Sequence, residues 1–262
     1  MDKVGSAGAA PRVRILNGQF DALTLSDTVE AVFRLIQTGQ RGWLCTVNVA
    51  ILMMMRRDGR LRGFVDRASI TVADGQPIVW GASWLGRPLP ERVTGVDLVD
   101  ALCERAAREG KRVYLLGGTA DVVARAARRL RERSPGLLID HADGYFGNDD
   151  AAARADRIRS ARADILFVGM GVPRQEIFLE EQWDRLGVGM AIGVGGSFDV
   201  LAGVRARAPL WVQKMGMEWL FRLAQEPRRL VARYLVTNSQ FLWLFARTLL
   251  SRAAARGEAE NR

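Results

Sequence analysis

Val113-Tyr114-Leu115-Leu116-Gly117-Gly118, running on into the helical stretch Ala120 to Arg133, is the passage that decides the fold. Val113 to Leu116 is a short apolar run and reads as a buried strand. The paired glycines make a tight turn, and the segment after them has helical character. The same unit repeats on both sides. Val96 to Glu109 reads as a helix before it. After it come a strand at Leu137 to His141, a helix at Asp149 to Arg162 and a strand at Ile165 to Val168. A helix at Gln175 to Arg185 and a strand at Met190 to Val194 complete the series. Strands separated by helices of ten or more residues imply right-handed βαβ units and a parallel sheet. No internal sequence repeat is visible.

Upstream, Val13 to Leu16 suits a short first strand. Ser26 is placed to cap a helix carrying Val29, Val32, Phe33 and Ile36 at helical spacing. Gly39 to Gly42 ends that helix, Trp43 to Val47 reads as a buried strand, and Val49 to Arg57 as a second helix. Ser69 to Ala73, Asp74-Gly75 and Ile78 to Trp80 read as strand, turn and strand. From Pro209 the chain becomes helical, aromatic and basic. The expected fold class is α/β: a Rossmann-like parallel sheet flanked by helices, with a smaller N-terminal α/β subdomain and a helical C-terminal appendage. The expected boundaries are a flexible leader at 1–11, the N-terminal subdomain at 12–94, a nucleotide-binding subdomain at 95–204 and the appendage at 205–262.

Composition narrows the class. The 262 residues are 48% hydrophobic and 26% charged, which is ordinary for a globular protein rather than a disordered one. The net charge is +9. From Arg205 to Arg262 there are eleven Lys/Arg against four Asp/Glu, so the tail expects an anionic partner. Met1 to Pro11 holds no signal-peptide core. No stretch offers about 20 uninterrupted apolar residues for a membrane span; the nearest, Leu186 to Val204, contains six glycines. Cys45 and Cys103 form no metal or redox spacing, which suits buried thiols in a reducing compartment. No D-x-D motif occurs. The single histidine, His141, lacks partners at ligand spacing, so no metal is expected.

Three glycine-rich turns follow expected strands: Gly117-Gly118, Gly169-Met170-Gly171 and Gly193-Val194-Gly195-Gly196. In a parallel sheet such turns face one crevice, where ligands bind. Glycine lets the backbone approach a phosphate. Each alone is equally a plain tight turn; three in succession favour a nucleotide site. None completes a dinucleotide or P-loop fingerprint. Asp74-Gly75 is a common hairpin pair, and its carboxylate could also act as a general base. Thr46 and Asn48 could bind a ligand or cap the next helix. Arg174-Gln175-Glu176 suits a polar ligand or a solvated first turn. Asp199 could bind a ribose hydroxyl or cap a segment. Arg222, Arg228, Arg229 and Arg233 form either a solvated face or a diphosphate clamp. Phe241-Leu242-Trp243-Leu244-Phe245, with Arg247 and Arg252, resembles an interfacial helix, or one packed on the domain or another subunit.

Taken in order, these segments resemble the WecG/TagA/CpsF family of glycosyltransferases, also called glycosyltransferase family 26. The matching stretches include Thr46-Val47-Asn48, Ala73-Asp74-Gly75-Gln76-Pro77, Glu91-Arg92-Val93-Thr94-Gly95 and Leu115-Leu116-Gly117-Gly118. They continue with Gly144-Tyr145-Phe146, Val168-Gly169-Met170-Gly171-Val172-Pro173-Arg174-Gln175-Glu176 and Gly193-Val194-Gly195-Gly196-Ser197-Phe198-Asp199. Arg207-Ala208-Pro209-Leu210-Trp211, Gly216-Met217-Glu218-Trp219 and Arg222-Leu223-Ala224-Gln225-Glu226-Pro227-Arg228 close the series. The resemblance covers roughly residues 13–235.

It implies an inverting, metal-independent transferase using a UDP-sugar, with no further cofactor and a polyprenyl-diphosphate-linked acceptor. It implies Asp74 as the general base, against the hairpin reading that the residues alone favour. Thr46, Asn48, Arg92 and Gln175 would line the sugar and acceptor site. Gly117, Gly118, Gly171, Gly195, Gly196 and Asp199 would contact the nucleotide. Arg222, Arg228, Arg229 and Arg233 would hold the diphosphate in place of a metal. The protein would sit peripherally on the inner face of the cytoplasmic membrane through the appendage, with no nucleic-acid partner and with homo-oligomers left open. Two rivals are a nucleotide enzyme of another class and a non-catalytic basic protein binding membrane or nucleic acid. The first would bind NAD(P) rather than UDP; the second would show strongly salt-dependent nucleic-acid binding and no transfer.

Overall fold

The computed structural model describes residues 11–260, with the side chains of 214, 229, 232, 233 and 252–260 not described. The expected leader thus lies almost wholly outside the described residues. Six strands form one sheet of entirely parallel pairs: β3 (Gly42–Val47), β4 (Ile70–Ala73), β5 (Arg112–Gly117), β6 (Leu138–Ala142), β7 (Ile165–Gly169) and β8 (Met190–Gly193). Their spatial order is β4-β3-β8-β7-β5-β6. The α/β parallel architecture expected from the strand–helix rhythm is the architecture observed. Strands from both sides of residue 94 share the one sheet.

Both faces of the sheet are covered, which is why its inner strands are apolar on both sides, while the edge strand β6 carries Asp140 and His141. Alternate residues serve alternate faces. Trp43, Cys45 and Val47 pack to one side with α2 (Val49–Met54), α3 (Gly59–Asp66), α4 (Gln76–Trp84), α7 (Ala151–Ser160) and α8 (Arg174–Leu186). Leu44, Val113 and Leu115 pack to the other with α1 (Leu25–Gln37), α5 (Gly95–Glu109), α6 (Ala120–Arg133) and α9 (Ser197–Leu201). The chain ends in three further helices: α10 (Leu210–Lys214), α11 (Glu218–Gln225) and the 34-residue α12 (Pro227–Glu260). Phe241 and Phe245 of α12 are buried in the first layer, against the α2 and α4 side.

Three local readings are corrected. The cap of α1 is Thr24, not Ser26: Thr24 accepts from the Asp27 amide at 3.1 Å while the Asp27 carboxylate takes the Thr24 amide at 3.1 Å. A reciprocal capping box satisfies two orphan donors where a lone serine satisfies one. Ile78 to Trp80 is not a strand but part of α4, and Asp74-Gly75 is no hairpin turn. Gly75 has φ −154, an extended value, whereas the primed hairpin turns need positive φ. Pro77 in the first turn starts the helix, and Ile78, Val79 and Ala82 form its buried face.

The third correction adds a strand. β1 (Arg12–Ile15) pairs with an antiparallel β2 (Gly18–Asp21) through a turn at Leu16, whose φ is 52. This hairpin lies along the outer edge of the sheet. Asp21 accepts the Thr71 amide of β4 at 2.8 Å, and Arg12 donates to the carbonyls of Ala68 at 3.1 Å and Ser69 at 3.3 Å.

Candidate active site

Because every strand of the sheet points the same way, their C-terminal ends open on one side. That side brings together Asn48, Asp74, Gly117-Gly118, Gly169-Met170-Gly171 and Gly193 to Gly196. Close approach requires glycine at Gly117 and at Gly144 beside it. A Cβ on Gly117, whose φ is +147, would lie 2.4 Å from the Gly169 carbonyl oxygen. One on Gly144 would lie 2.8 Å from the Gly117 Cα. The Gly144 amide donates to the Gly118 carbonyl at 2.9 Å. Gly171 and Gly195 have φ of +81 and +52, and a Cβ on either would meet nothing within 4 Å. The backbone is therefore open to a ligand at those two turns and packed shut at Gly117.

Asp74 follows β4 directly. Its amide donates to the Val47 carbonyl at 3.0 Å, and the Val93 amide donates to the Ala73 carbonyl at 2.9 Å. The backbone at Asp74 is thus fixed between the β3 end and the segment leading into α5. Burial raises the Asp74 pKa to about 7, against the lowering effect of Arg222 and Arg92; Glu218 adds to the rise, and the Gly95 amide opposes it. An acid poised there can take a proton near neutral pH. Arg92 forms an ion pair with Glu218 at 2.8 Å, and both side chains are largely shielded from water. So α11, from the appendage, reaches the pocket and places Arg222 in the field of Asp74.

The other expected residues are distributed as follows. Asn48 caps α2 through the Ile51 amide at 3.1 Å, and its Cα lies 3.6 Å from where a Cβ on Gly75 would sit. Thr46 and Gln175 lie beneath the glycine loop rather than in the open crevice. Thr46 donates to the Gly193 carbonyl at 3.0 Å, and Gln175 accepts from the Gly195 amide at 3.2 Å. Their polar groups hold the loop that Gly195 and Gly196 belong to. Asp199 pairs with Arg205 at 3.3 Å, which reaches Glu226 at 2.8 Å. Arg228 is exposed at the start of α12, and the side chains of Arg229 and Arg233 lie outside those described.

Two acids gain a place that the sequence did not give them: Glu218 stands there only within a matching stretch, and Glu176 reads with Arg174 and Gln175 as suiting a polar ligand or a solvated first turn. Glu218 has no local signal, since its partner is 126 positions away. Glu176 is buried, shares the apolar face of α8 with Leu179 and Trp183, and so carries a signal in its spacing. It accepts from Gln175 at 2.8 Å, while its other carboxylate oxygen has no protein partner. Burial raises its pKa to about 7. Among the described residues, no three His, Cys, Asp or Glu side chains gather so as to hold a metal ion. Chemically, the site offers a carboxylate able to take a proton, guanidinium groups beside it, and open glycine backbone facing the same crevice.

Known proteins resemble this chain over most of its length. The family model described as Glycosyl transferase WecG/TagA/CpsF family matches residues 13–255. A Staphylococcus aureus (strain MW2) protein named N-acetylglucosaminyldiphosphoundecaprenol N-acetyl-beta-D-mannosaminyltransferase is 32% identical over 221 residues, covering 84% of this chain and 87% of its own. The protein of the same name from strain NCTC 8325 / PS 47 has the same identity and coverage.

Proposed function

The chain belongs to the WecG/TagA/CpsF glycosyltransferase family, and on that premise we propose that it moves a hexose or N-acetylhexosamine-type sugar from a UDP-sugar to a polyprenyl-diphosphate-linked saccharide, with inversion and without a metal. The observation that carries this reading is Asp74, an acid raised to about 7 by burial and faced by Arg222 and Arg92. In a single displacement Asp74 takes the proton of the acceptor hydroxyl. The freed oxygen attacks the anomeric carbon, and the bond to UDP breaks on the opposite side. Arg222 and Arg92 bear the charge that gathers on the leaving diphosphate, as preorganised guanidiniums do. The glycine turns at Gly171 and Gly195 supply backbone for the nucleotide. The acceptor class follows the names of the relatives.

Access to a lipid-linked acceptor calls for a membrane surface. Among the described residues no helix is long and apolar enough to cross a bilayer. Leu235, Leu242, Trp243 and Leu250 of α12 are exposed, as are Leu210 and Trp211 of α10. With Arg228 and Arg247 beside them, these side chains suit peripheral docking on an anionic leaflet, here placed on the inner face of the cytoplasmic membrane.

The test is a screen of UDP-sugars against a short-chain lipid-diphosphate saccharide, with product stereochemistry read by NMR. One UDP-sugar is expected to give an inverted linkage at a rate unchanged by EDTA. Retention of configuration would overturn the single displacement, and loss of turnover in EDTA would overturn metal independence.

A further inference from the structure

We propose that Glu218 is a positioning residue for transfer: its ion pair with Arg92 seats α11 across the mouth of the Asp74 pocket, so that Arg222 faces the carboxylate. The role in transfer rests on the function proposed above; the seating does not.

Three observations meet at this pair. Glu218 opens α11 and Arg222 stands four residues later, so both project from one face of the helix. One turn therefore presents an acid to Arg92 and a guanidinium to Asp74. Arg92 precedes Val93, whose amide is bound to the Ala73 carbonyl at 2.9 Å, so Arg92 rides on a segment tied one residue before Asp74. Finally, the Arg92 and Glu218 side chains are 14% and 15% exposed, against 46% and 50% for the surface pair Arg60–Glu181. A shielded pair holds its geometry where an exposed one is screened.

The neighbouring backbone agrees with a seated helix. Gly216, two residues before Glu218, has φ +70, and a Cβ there would lie 2.4 Å from the Gln76 Cγ. The turn into α11 thus rests on the first residue of α4, just after Asp74-Gly75. Other ion pairs of the described residues here, Arg207 with Asp97 at 2.6 Å, Arg205 with Asp199 at 3.3 Å and Arg205 with Glu226 at 2.8 Å, bind the connecting segment.

Glu218→Gln and Glu218→Asp in the full chain test this, by hydrogen exchange and by steady-state kinetics. In Glu218→Gln, amides of residues 218–225 are expected to exchange faster while those of the sheet do not. Its kcat is expected to fall about tenfold to a hundredfold, as small misplacements do, with a smaller change in KM for the donor. The acid limb of its kcat profile should move to higher pH, since a loosened α11 withdraws Arg222, which lowers the Asp74 pKa by more than Glu218 raises it. Glu218→Asp should restore the exchange pattern, the rate and the limb. Unchanged exchange in Glu218→Gln overturns the seating, whatever the activity. Faster exchange with wild-type kcat, or a lost rate with an unmoved limb and no rescue by Asp, overturns the positioning role. A wild-type chain that transfers no sugar, while the exchange result holds, faults the proposed function and not the seating.

Discussion

Asp74 and Glu176 are both carboxylic acids that burial drives to about 7, yet the regions around them differ. Asp74 lies at the end of β4 with a partly exposed edge, and it is faced by two arginines and an opposing acid from two different elements. Glu176 lies inside the α8 layer, held by the amide of its neighbour Gln175, with one oxygen unpartnered, and lines a small space together with Cys45, Thr46 and Gly193. Burial, and after it the nearness of Glu176, raises the Cys45 thiol well above its usual value. A perturbed acid is therefore not enough to name a base. What separates the two is access and the sign of the surrounding charge.

The comparison breaks most visibly at Asp74. Asp74→Asn is expected to retain UDP binding by calorimetry and to lose turnover by about 10²–10⁴-fold. In the wild type, kcat should rise as pH climbs through about 7, because the base must be ionised. A flat profile there, or wild-type turnover in the variant, would remove Asp74 from the role. Arg222→Ala comes next, with about a hundredfold lower kcat in the same assay. It should also move the acid limb upward, as Glu218→Gln does by loosening α11, since Arg222 holds the Asp74 pKa down.

Glu176→Gln should have the smallest effect on transfer, within about threefold if burial rather than chemistry defines it. Its effect belongs to stability. The folded state keeps this proton up to about pH 7, whereas the unfolded chain releases it near its ordinary value of 4.5. The stability it contributes is complete below 4.5 and lost as pH rises through 7. The span amounts to roughly 3 kcal/mol. Urea titrations at pH 5 and pH 8 should show Glu176→Gln gaining on the wild type at the higher pH by up to that amount. An equal difference at both values would show that Glu176 does not titrate with folding.

Much of the sheet was legible because its strands are short apolar runs stopped by glycine, with helices of ten or more residues between them. Residues 112–193 follow that rhythm, and the structure keeps it. The segment after Asp74 misled for a physical reason. Asp-Gly is a hairpin signal and Ile78-Val79-Trp80 has strand-favouring side chains, but the helix that buries Ile78, Val79 and Ala82 prevails through packing. The Thr24 cap was within reach, since Asp27 stands three residues on; the pull of Ser26 hid it. Arg222 could be marked as one of several tail arginines, but its place beside Asp74 could not. That place depends on Glu218 and Arg92, far apart in the chain and joined only when α11 folds back over the pocket.

The small hairpin of β1 and β2 has a bearing on assembly. A sheet border whose amides and carbonyls are unpaired is a template for another strand. Along β4 and the residues before it, Asp21 already takes the Thr71 amide, and Arg12 takes the Ala68 and Ser69 carbonyls. The border next to Asp74 is hemmed by the chain's own opening residues. At the opposite border, β6, Arg131 likewise takes the Ile139 carbonyl, so each end of the sheet has backbone groups engaged by the chain's own side chains.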